Sequence, residues 1–161
     1  MTTNAPRLTR RDFTAGLGGI VLSFSLGPEL ALAHPSRGIV HRQLGEGRAT
    51  GDADRLFQLV DNLVSNAVAY GSATSAITVT SKIAPGEFSI AVHNHGPAIP
   101  ATVLPTLFQP MVRGTDIASV NRSVGLGLFI VSEIAKAHGG KRELASSDHE
   151  GTTFRVRLPR S

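Results

Sequence analysis

The chain has 161 residues, of which 41% are hydrophobic and 5% aromatic, and its mean hydropathy is +0.06. This length suffices for one globular domain, and the composition fits a soluble protein with an aliphatic core. The formal charge of +4 is modest; it gives weak support for nucleic acid as a partner and is compatible with an anionic ligand such as a nucleotide. Because there is no cysteine, a disulfide framework and a thiolate metal site are excluded.

The first 35 residues differ in character from the rest of the chain. An arginine pair, Arg10-Arg11, precedes an apolar, glycine-rich run and then the small-x-small pattern Ala31-Leu32-Ala33. This layout resembles a twin-arginine export signal, and the run is too short and too rich in glycine for a transmembrane helix. The alternative is a flexible tail with a chance arginine pair. In both cases we exclude residues 1–35 from the fold and predict one domain over residues 36–161.

The rest of the chain alternates between strand and helix patterns. Strands are indicated by apolar and polar residues in alternation, and helices by apolar residues at three- and four-residue steps. The predicted elements are a strand over 38–44, a helix over 53–70, strands over 76–82 and 88–94, a short helix over 101–108, a loop over 109–122, a helix over 128–137, and strands over 141–146 and 152–158. This order predicts an α+β fold, a two-layer sandwich with helices on one face of a mixed, mostly antiparallel sheet.

The helix over 53–70 carries two asparagines that stand out. Asn62 and Asn66 are four residues apart, so they stack one turn above the other beside an apolar face. Asparagine is unfavourable inside a helix because its amide competes for backbone groups, so two in register suggest a shared task. A primary amide offers a neutral oxygen ligand to a hard cation such as Mg²⁺. The alternative is that both side chains lie at the solvent edge without a function.

Two glycine-containing segments are further candidates for ligand contact. Asn94-His95-Gly96 ends a predicted strand, and Gly125-Leu126-Gly127 opens a predicted helix. Glycine lets the backbone approach a ligand closely, and the free N–H groups and positive dipole end of a helix N-terminus attract phosphate. The polar loop before Gly125 is typical of a lid over a nucleotide. Taken alone, a Gly-x-Gly sequence is equally consistent with a plain turn.

Together, five motifs resemble those of the ATP-binding catalytic domain of sensor histidine kinases. The wider group is the gyrase, Hsp90, histidine kinase and MutL ATPases, which share the Bergerat fold. The matching motifs are the N box at 62–67, the G1 box at 94–100, the F box and start of the ATP lid at 107–114, the G2 box at 125–131, and the closing segment at 146–147 and 151–154. The resemblance runs from about Asp52 to Pro159 and implies a Bergerat-type sandwich.

The resemblance also implies roles for individual residues. Asn66 would hold Mg²⁺, which bridges the ATP phosphates, and Asn62 would lie one turn earlier, near the phosphates or their waters; these two are the implied catalytic residues. Asn94 would face the adenine amino group. The other implied cofactor-binding residues are Gly96, Ile99, Arg113, Gly125, Leu126, Gly127, Leu128 and Thr152. Such a site is built from amides, glycines and a metal because phosphoryl transfer needs mostly positioning and charge neutralisation.

The match departs from the family pattern at Asn94, where the family usually has aspartate. An amide oxygen can still accept a hydrogen bond from the adenine amino group, but it carries no charge, which implies a lower affinity. The form Asn-x-Gly-Pro-x-Ile-Pro resembles a variant known among sensor kinases. The resemblance therefore still implies ATP and Mg²⁺ as cofactors.

The histidine-bearing hairpin that sensor kinases place before this domain has no counterpart in residues 1–50. We therefore predict an ATP- and Mg²⁺-binding kinase domain that acts with a separate phosphoacceptor hairpin or response regulator protein, and with neither nucleic acid nor a membrane. The alternatives are a nucleotide-binding or protein-interaction module without turnover, and a Ser/Thr kinase of the anti-sigma-factor type. The predicted location is the cytoplasm, where ATP is available, although the twin-arginine-like segment would imply export.

Overall fold

The structure is a computed structural model that describes residues 51–110 and 125–160, together with the short stretches 15–16, 19–20 and 39–44. In the described residues the strands are β1 (Ala15–Gly16), β2 (Gly19–Ile20), β3 (Ile39–Leu44), β4 (Ile77–Ala84), β5 (Glu87–Asn94), β6 (Lys141–Ser147) and β7 (Gly151–Pro159). The helices of the same residues are α1 (Ala53–Tyr70) and α2 (Gly127–Ala137).

The main sheet confirms the predicted α+β fold. It has five strands in the order β3-β4-β5-β7-β6, while β1 and β2 pair only with each other. β3 runs parallel to β4, and every other neighbouring pair in the main sheet is antiparallel. Parallel strands need a crossover connection, which α1 supplies between β3 and β4. Since β5 lies next to β7, Asn94 at the end of β5 is opposite Thr152 near the start of β7.

Helix α1 forms where the local sequence predicts it, and its ends have identifiable causes. The Asp52 side chain accepts a hydrogen bond from the Arg55 N–H at 3.2 Å, which caps the N-terminus. At the other end the Gly71 N–H donates to the Ala67 carbonyl at 2.9 Å. Gly71 has an ordinary φ of −78°, so its backbone conformation does not require glycine. Glycine is needed there for space, because an added Cβ would overlap the Ala67 oxygen and lie 3.0 Å from the Asn94 side chain.

The core lies between the helices and one face of the sheet and is mainly aliphatic, as the composition predicts. Its largest fully buried side chains include Phe88, Leu59, Leu63, Ile77, Ile90, Val79, Val92, Val131 and Val156. In α2, Val131, Ile134 and Ala135 are buried, whereas Leu128 and Ile130 are only half-buried. Leu128 is turned toward a cavity, and it belongs to the candidate site as well as to the edge of the core.

The segment 101–108, predicted as a short helix, forms consecutive turns instead. Its backbone N–H groups bond three residues back, as Val103 does to Pro100 at 2.9 Å and Thr106 to Val103 at 3.1 Å. Pro105 has no N–H to continue an α-helical ladder, and its ring would crowd the preceding turn. The predicted loop over 109–122 lies largely outside the described residues. Among the described helices, none has both the length and the apolar character that a membrane crossing requires.

Candidate functional site

A cavity of about 420 Å³ lies where α1, the end of β5, the start of α2 and the start of β7 meet. Eight of the residues predicted to form the site line it: Asn62, Asn66, Asn94, Ile99, Gly125, Gly127, Leu128 and Thr152. These residues are far apart in sequence, and the sheet order and the packing of the two helices bring them together. Gly96 and Leu126 lie next to lining residues but do not line the cavity, and Arg113 lies outside the described residues.

The cavity is apolar along most of its wall and polar at a few points. The apolar lining comes from Ala69, Pro97, Ala98, Ile99, Pro100, Val103, Leu107, Leu128 and Phe154. The polar lining residues are Asn62 and Asn66 of α1, together with Asn94, Thr152, Ser65 and Thr102. An apolar wall with a few placed polar groups is the usual construction of a small-molecule site, because the wall excludes water while the polar groups fix the orientation of the ligand.

The two helix amides are not equivalent in the structure. The Asn62 Nδ2 donates to the Gln58 carbonyl at 2.8 Å, and its Oδ1 would lie 3.1 Å from a Cβ placed on Gly127. The amide of Asn62 is therefore tied to its own helix and contacts the start of α2. By contrast, the half-buried Asn66 side chain makes no hydrogen bond with any described residue while lining the cavity. Nothing in residues 51–110 and 125–160 occupies its amide oxygen.

Asn94 is buried, with 5% of its surface exposed, and its amide is engaged on one side. The Nδ2 donates to the His95 carbonyl at 3.3 Å, and the Ser72 N–H donates to the same carbonyl at 2.6 Å. Gly96 follows with a φ of 153°, in the region that favours glycine, and an added Cβ would lie 3.1 Å from the Tyr70 carbonyl oxygen. Gly96 therefore lets the backbone turn tightly over the end of α1.

The floor of the cavity beside Asn94 is held by a pair of hydroxyl groups, and the link between them was not predicted from the sequence. Thr152, 5% exposed, has its Oγ1 2.7 Å from the Ser146 Oγ, and Ser146 accepts a hydrogen bond from the Ile99 N–H at 2.9 Å. The Ala98 N–H donates to the Asp148 side chain at 2.9 Å. The end of the β6–β7 hairpin therefore anchors the turn after β5. The sequence matched Ser146 only to the closing segment, and it gave no role to Asp148.

The start of α2 provides donors to the opposite end of the cavity. Gly125 has a φ of 71°, and Leu126 begins the helix without any side-chain cap; its carbonyl accepts from the Ile130 N–H at 2.8 Å. The first N–H groups of a helix have no partner within it, and they carry a partial positive charge. Because Gly125, Gly127 and Leu128 line the cavity, these donors lie on its border.

A histidine, His93, precedes the cavity-lining Asn94 in β5. The His93 Nδ1 is 3.0 Å from the Thr153 Oγ1, and its ring meets that of His95 edge-on at 4.9 Å. Burial lowers the pKa of His93, and nearby His95 lowers it further against the opposing effect of Glu150. Burial and His95 therefore both favour the neutral form of His93. Within residues 51–110 and 125–160, no three acidic or histidine side chains converge to hold a metal ion.

Comparisons with known proteins agree with this geometry. The family described as "Histidine kinase-, DNA gyrase B-, and HSP90-like ATPase" matches residues 51–161. The probable sensor histidine kinase TcrY of Mycobacterium tuberculosis is 39% identical over 110 residues, which are 68% of this chain and 23% of that protein. The sensor protein VanS of Enterococcus faecium is 35% identical over 133 residues, or 82% of this chain and 34% of VanS.

A solved structure gives the same result for the fold. The histidine kinase domain of the E. coli osmosensor EnvZ, solved by NMR, superimposes with a TM-score of 0.61 and 31% identity, covering 83% of each chain. The curated relatives are longer proteins: the chain spans only 23% of the length of TcrY and 34% of VanS.

Proposed function

The chain belongs to the family of histidine kinase-, DNA gyrase B- and HSP90-like ATPases, and we propose that its domain binds ATP and Mg²⁺ as the catalytic domain of a two-component sensor histidine kinase. One observation carries the proposal: Asn66 of α1, Asn94 of β5, Gly127 of α2 and Thr152 of β7 line a single cavity. The similarity to TcrY and VanS, both named as sensor proteins, supports the kinase assignment over other members of the family.

The two ends of the cavity have different chemistry, which assigns an orientation to the nucleotide. The apolar wall around Ile99 and Phe154, together with Asn94 and Thr152, suits the planar base. The N–H groups at the start of α2 suit the phosphates, as does the Asn66 amide, which makes no hydrogen bond with any described residue. Asn62 positions the start of α2 through its contact with Gly127.

Asn66 fits the magnesium ion that this chemistry requires. Its side-chain oxygen is neutral and uncommitted among the described residues, and it borders the phosphate end of the cavity. Mg²⁺ prefers oxygen ligands and usually keeps few protein ligands, since substrate phosphates and waters complete its shell. When bound, it neutralises charge on the phosphates during phosphoryl transfer.

The phosphoryl acceptor in this proposal is a histidine hairpin or response regulator protein supplied by a partner. Of the histidines near the cavity, His93 is half-buried and bonded to Thr153, and its side chain alternates to the sheet face opposite to that of Asn94. It is therefore a poor acceptor. An ATP-dependent domain of this kind works in the cytoplasm, which is the location we propose.

The proposal predicts that Asn66→Ala weakens Mg²⁺-dependent binding of ATP by about tenfold, the cost of one strong polar contact. Calorimetric titration with ATP, with and without Mg²⁺, measures this. Asp54→Ala, an exposed change in the first turn of the same helix, is the matched control and leaves binding unchanged. Equal magnesium dependence in the Asn66→Ala variant and the original chain would contradict the metal assignment.

Transfer is tested separately, with ATP, Mg²⁺ and an acceptor-hairpin protein. Acid-labile phosphate on the hairpin histidine supports the kinase assignment. Binding without transfer would indicate a nucleotide-binding module, and acid-stable phosphate on a partner would indicate a Ser/Thr kinase.

A further inference from the structure

His138 lies at the end of α2 and connects it to the start of α1. The Nδ1 of its half-buried ring lies 2.9 Å from the Ile134 carbonyl oxygen, one turn back in α2. The Nε2 lies 3.3 Å from the backbone nitrogen of Asp52, which is 86 residues away in sequence. The ring also packs beside Gly51, where an added Cβ would lie 3.6 Å from the His138 Cδ2. One side chain therefore joins the two helices.

The two partners determine which ring nitrogen of His138 carries the hydrogen. A carbonyl oxygen only accepts, so the Nδ1 must donate to Ile134. A backbone N–H only donates, so the Nε2 must accept from Asp52. Both bonds require the same tautomer, with the hydrogen on Nδ1. The ring thus satisfies a free carbonyl at the end of one helix and a free N–H at the start of the other.

The local sequence explains why the Asp52 N–H needs a partner from outside α1. Asp52 is the N-cap residue, and in a capping box a glutamate or glutamine three residues later accepts the N–H of that residue. Here the residue three positions later is Arg55, whose side chain has no acceptor and donates to the Gln58 Oε1 at 3.0 Å. The Nε2 of His138 takes the place of the missing acceptor.

The two helices contact each other near both ends of α2. At its start, a Cβ on Gly127 would lie 3.1 Å from the Asn62 Oδ1, and at its end His138 is bonded to Asp52. The two contacts lie about three turns apart along each helix, so the helices run antiparallel past each other. A helix moves as a rigid element, so a shift at the end of α2 is carried to its start. The N–H groups that border the cavity therefore depend on both contacts.

We propose that His138 is a positioning residue for the nucleotide phosphates. By accepting the Asp52 N–H, it fixes the position of α2 along α1, and with it the N–H groups at the start of α2 that face the phosphates. This inference rests on the proposed function. His138 does not line the cavity and lies at the opposite end of α2, so it acts through the helix and not by touching the ligand. Its loss should weaken binding of the phosphates more than binding of the base.

Two amide substitutions separate the two hydrogen bonds of the ring. In His138→Gln, the amide reaches the position of the Nε2, and its oxygen accepts the Asp52 N–H. In His138→Asn, the shorter amide reaches the position of the Nδ1, and it donates only to the Ile134 carbonyl. Each variant loses one hydrogen bond, so both should lose about the same stability in chemical denaturation. Only His138→Asn breaks the link to α1.

The experiment is NMR titration of the full chain, because this method also measures weak binding. The ligands are ATP with Mg²⁺, and adenosine, which has the base and ribose without phosphates. His138→Asn should bind ATP about fivefold less tightly than the original chain, and adenosine within about twofold of it. His138→Gln should bind both ligands within about twofold of the original chain.

The outcomes distinguish this inference from the proposed function. Unchanged ATP binding by His138→Asn, the same loss of ATP binding in both variants, or an equal loss for ATP and adenosine overturns the inference and leaves the proposed function intact. Failure of the original chain to bind ATP contradicts the proposed function as well.

The link is also tested from its other side, at Asp52. Its φ of −76° suits proline, so Asp52→Pro removes the N–H, whereas Asp52→Ala keeps it; both variants lose the capping carboxylate. Asp52→Pro should bind ATP about fivefold less tightly than Asp52→Ala, and the two should differ by less than about twofold in a His138→Asn background. Equal ATP binding by the two Asp52 variants overturns the inference. This comparison decides where His138→Asn does not fold or adenosine binding is too weak to measure.

Discussion

Gly127 shows how one missing side chain sets the geometry between two elements. A Cβ at this position would lie 3.1 Å from Asn62 Oδ1, closer than ordinary van der Waals contact. Asn62 cannot easily give way, because its Nδ2 is bonded to the Gln58 carbonyl at 2.8 Å. Glycine is needed at position 127 because it lets the start of α2 approach Asn62 closely, although glycine makes a helix less stable than alanine does.

We expect Gly127→Ala to weaken ATP binding by about threefold to tenfold, although alanine is the better helix former. The added methyl group displaces either the start of α2 or the Asn62 amide. In an Asn62→Ala background only the Cβ of residue 62 remains, 3.8 Å from the added methyl group, so the same change should have little effect. Titration of ATP into the original chain, the two single variants and the double variant gives the coupling free energy between positions 62 and 127. Additive effects of the two changes would show that their contact is not the cause.

The residue scale also shows the limit of sequence reasoning about the site. The sequence identified Asn62, Asn66 and Asn94 because their amides are conspicuous at those positions. It assigned both helix amides to one task. In the structure Asn62 contacts the start of α2, while Asn66 makes no hydrogen bond with any residue that the structure describes. This difference depends on Gly127, which is remote in sequence, and local spacing does not reveal it.

At the scale of elements, the candidate site depends on how the β6–β7 hairpin holds the turn after β5. Ser146 of β6 bonds both Ile99 of that turn and Thr152 of β7. The next residue, Ser147, makes a comparable bond to the Glu150 N–H at 3.0 Å, but within the hairpin turn itself. Both serine hydroxyls accept a hydrogen bond from a backbone N–H. Ser146 connects the hairpin to the turn after β5, whereas Ser147 connects residues of one turn.

Ser146→Ala and Ser147→Ala form a matched pair. Each removes a hydroxyl acceptor and should lower the free energy of unfolding by about 1 kcal/mol. Only Ser146→Ala should also weaken ATP binding, by about threefold, since it frees the cavity wall at Ile99. Chemical denaturation and titration measure the two effects. The same loss of binding in both variants would show that general stability, not the tie to Ile99, is responsible.

The elements themselves could be predicted where local patterns decide them. The bounds of α1 were correct because the apolar periodicity that defines them is local. Strand β4 extends to Ala84, beyond the predicted end, because pairing with Glu87 of β5 decides its length. The prediction of a helix over 101–108 was wrong, because Pro105 and tertiary contacts favour turns.

At the scale of the whole molecule, the order of the strands in the sheet determines which residues meet at the site. The strand β7 lies between β5 and β6, so the end of β5, the start of β7 and both helices converge on the cavity. The sequence predicted the α+β class, but strand order within a sheet is set by long-range pairing. The family resemblance implied a Bergerat-type sandwich, and periodicity alone could not predict the strand order.

The His93 pKa predicts how the stability of the whole fold depends on pH. Because this pKa is lowered in the folded state, the unfolded chain takes up the proton first as the pH falls. The stability contributed by neutral His93 is present above the ordinary histidine pKa of 6.5 and is lost as the pH falls through the folded value. Thermal unfolding of His93→Gln should therefore vary less between about pH 7.5 and pH 5 than that of the original chain. His149→Gln, an exposed change in the β6–β7 turn, is the control and should keep the original slope; an unchanged slope in His93→Gln would contradict the assignment.

Helix α1 has a further consequence because it borders the cavity on one side and the core on the other. Asn66 lines the cavity, while its neighbour Ala67 is 1% exposed and Leu63 is fully buried. Occupancy and folding are therefore linked, and at a hundredfold excess of nucleotide over Kd the gain is about 2.7 kcal/mol. On the proposed function, a well-energised cell keeps this domain more resistant to heat and proteolysis than a starved one.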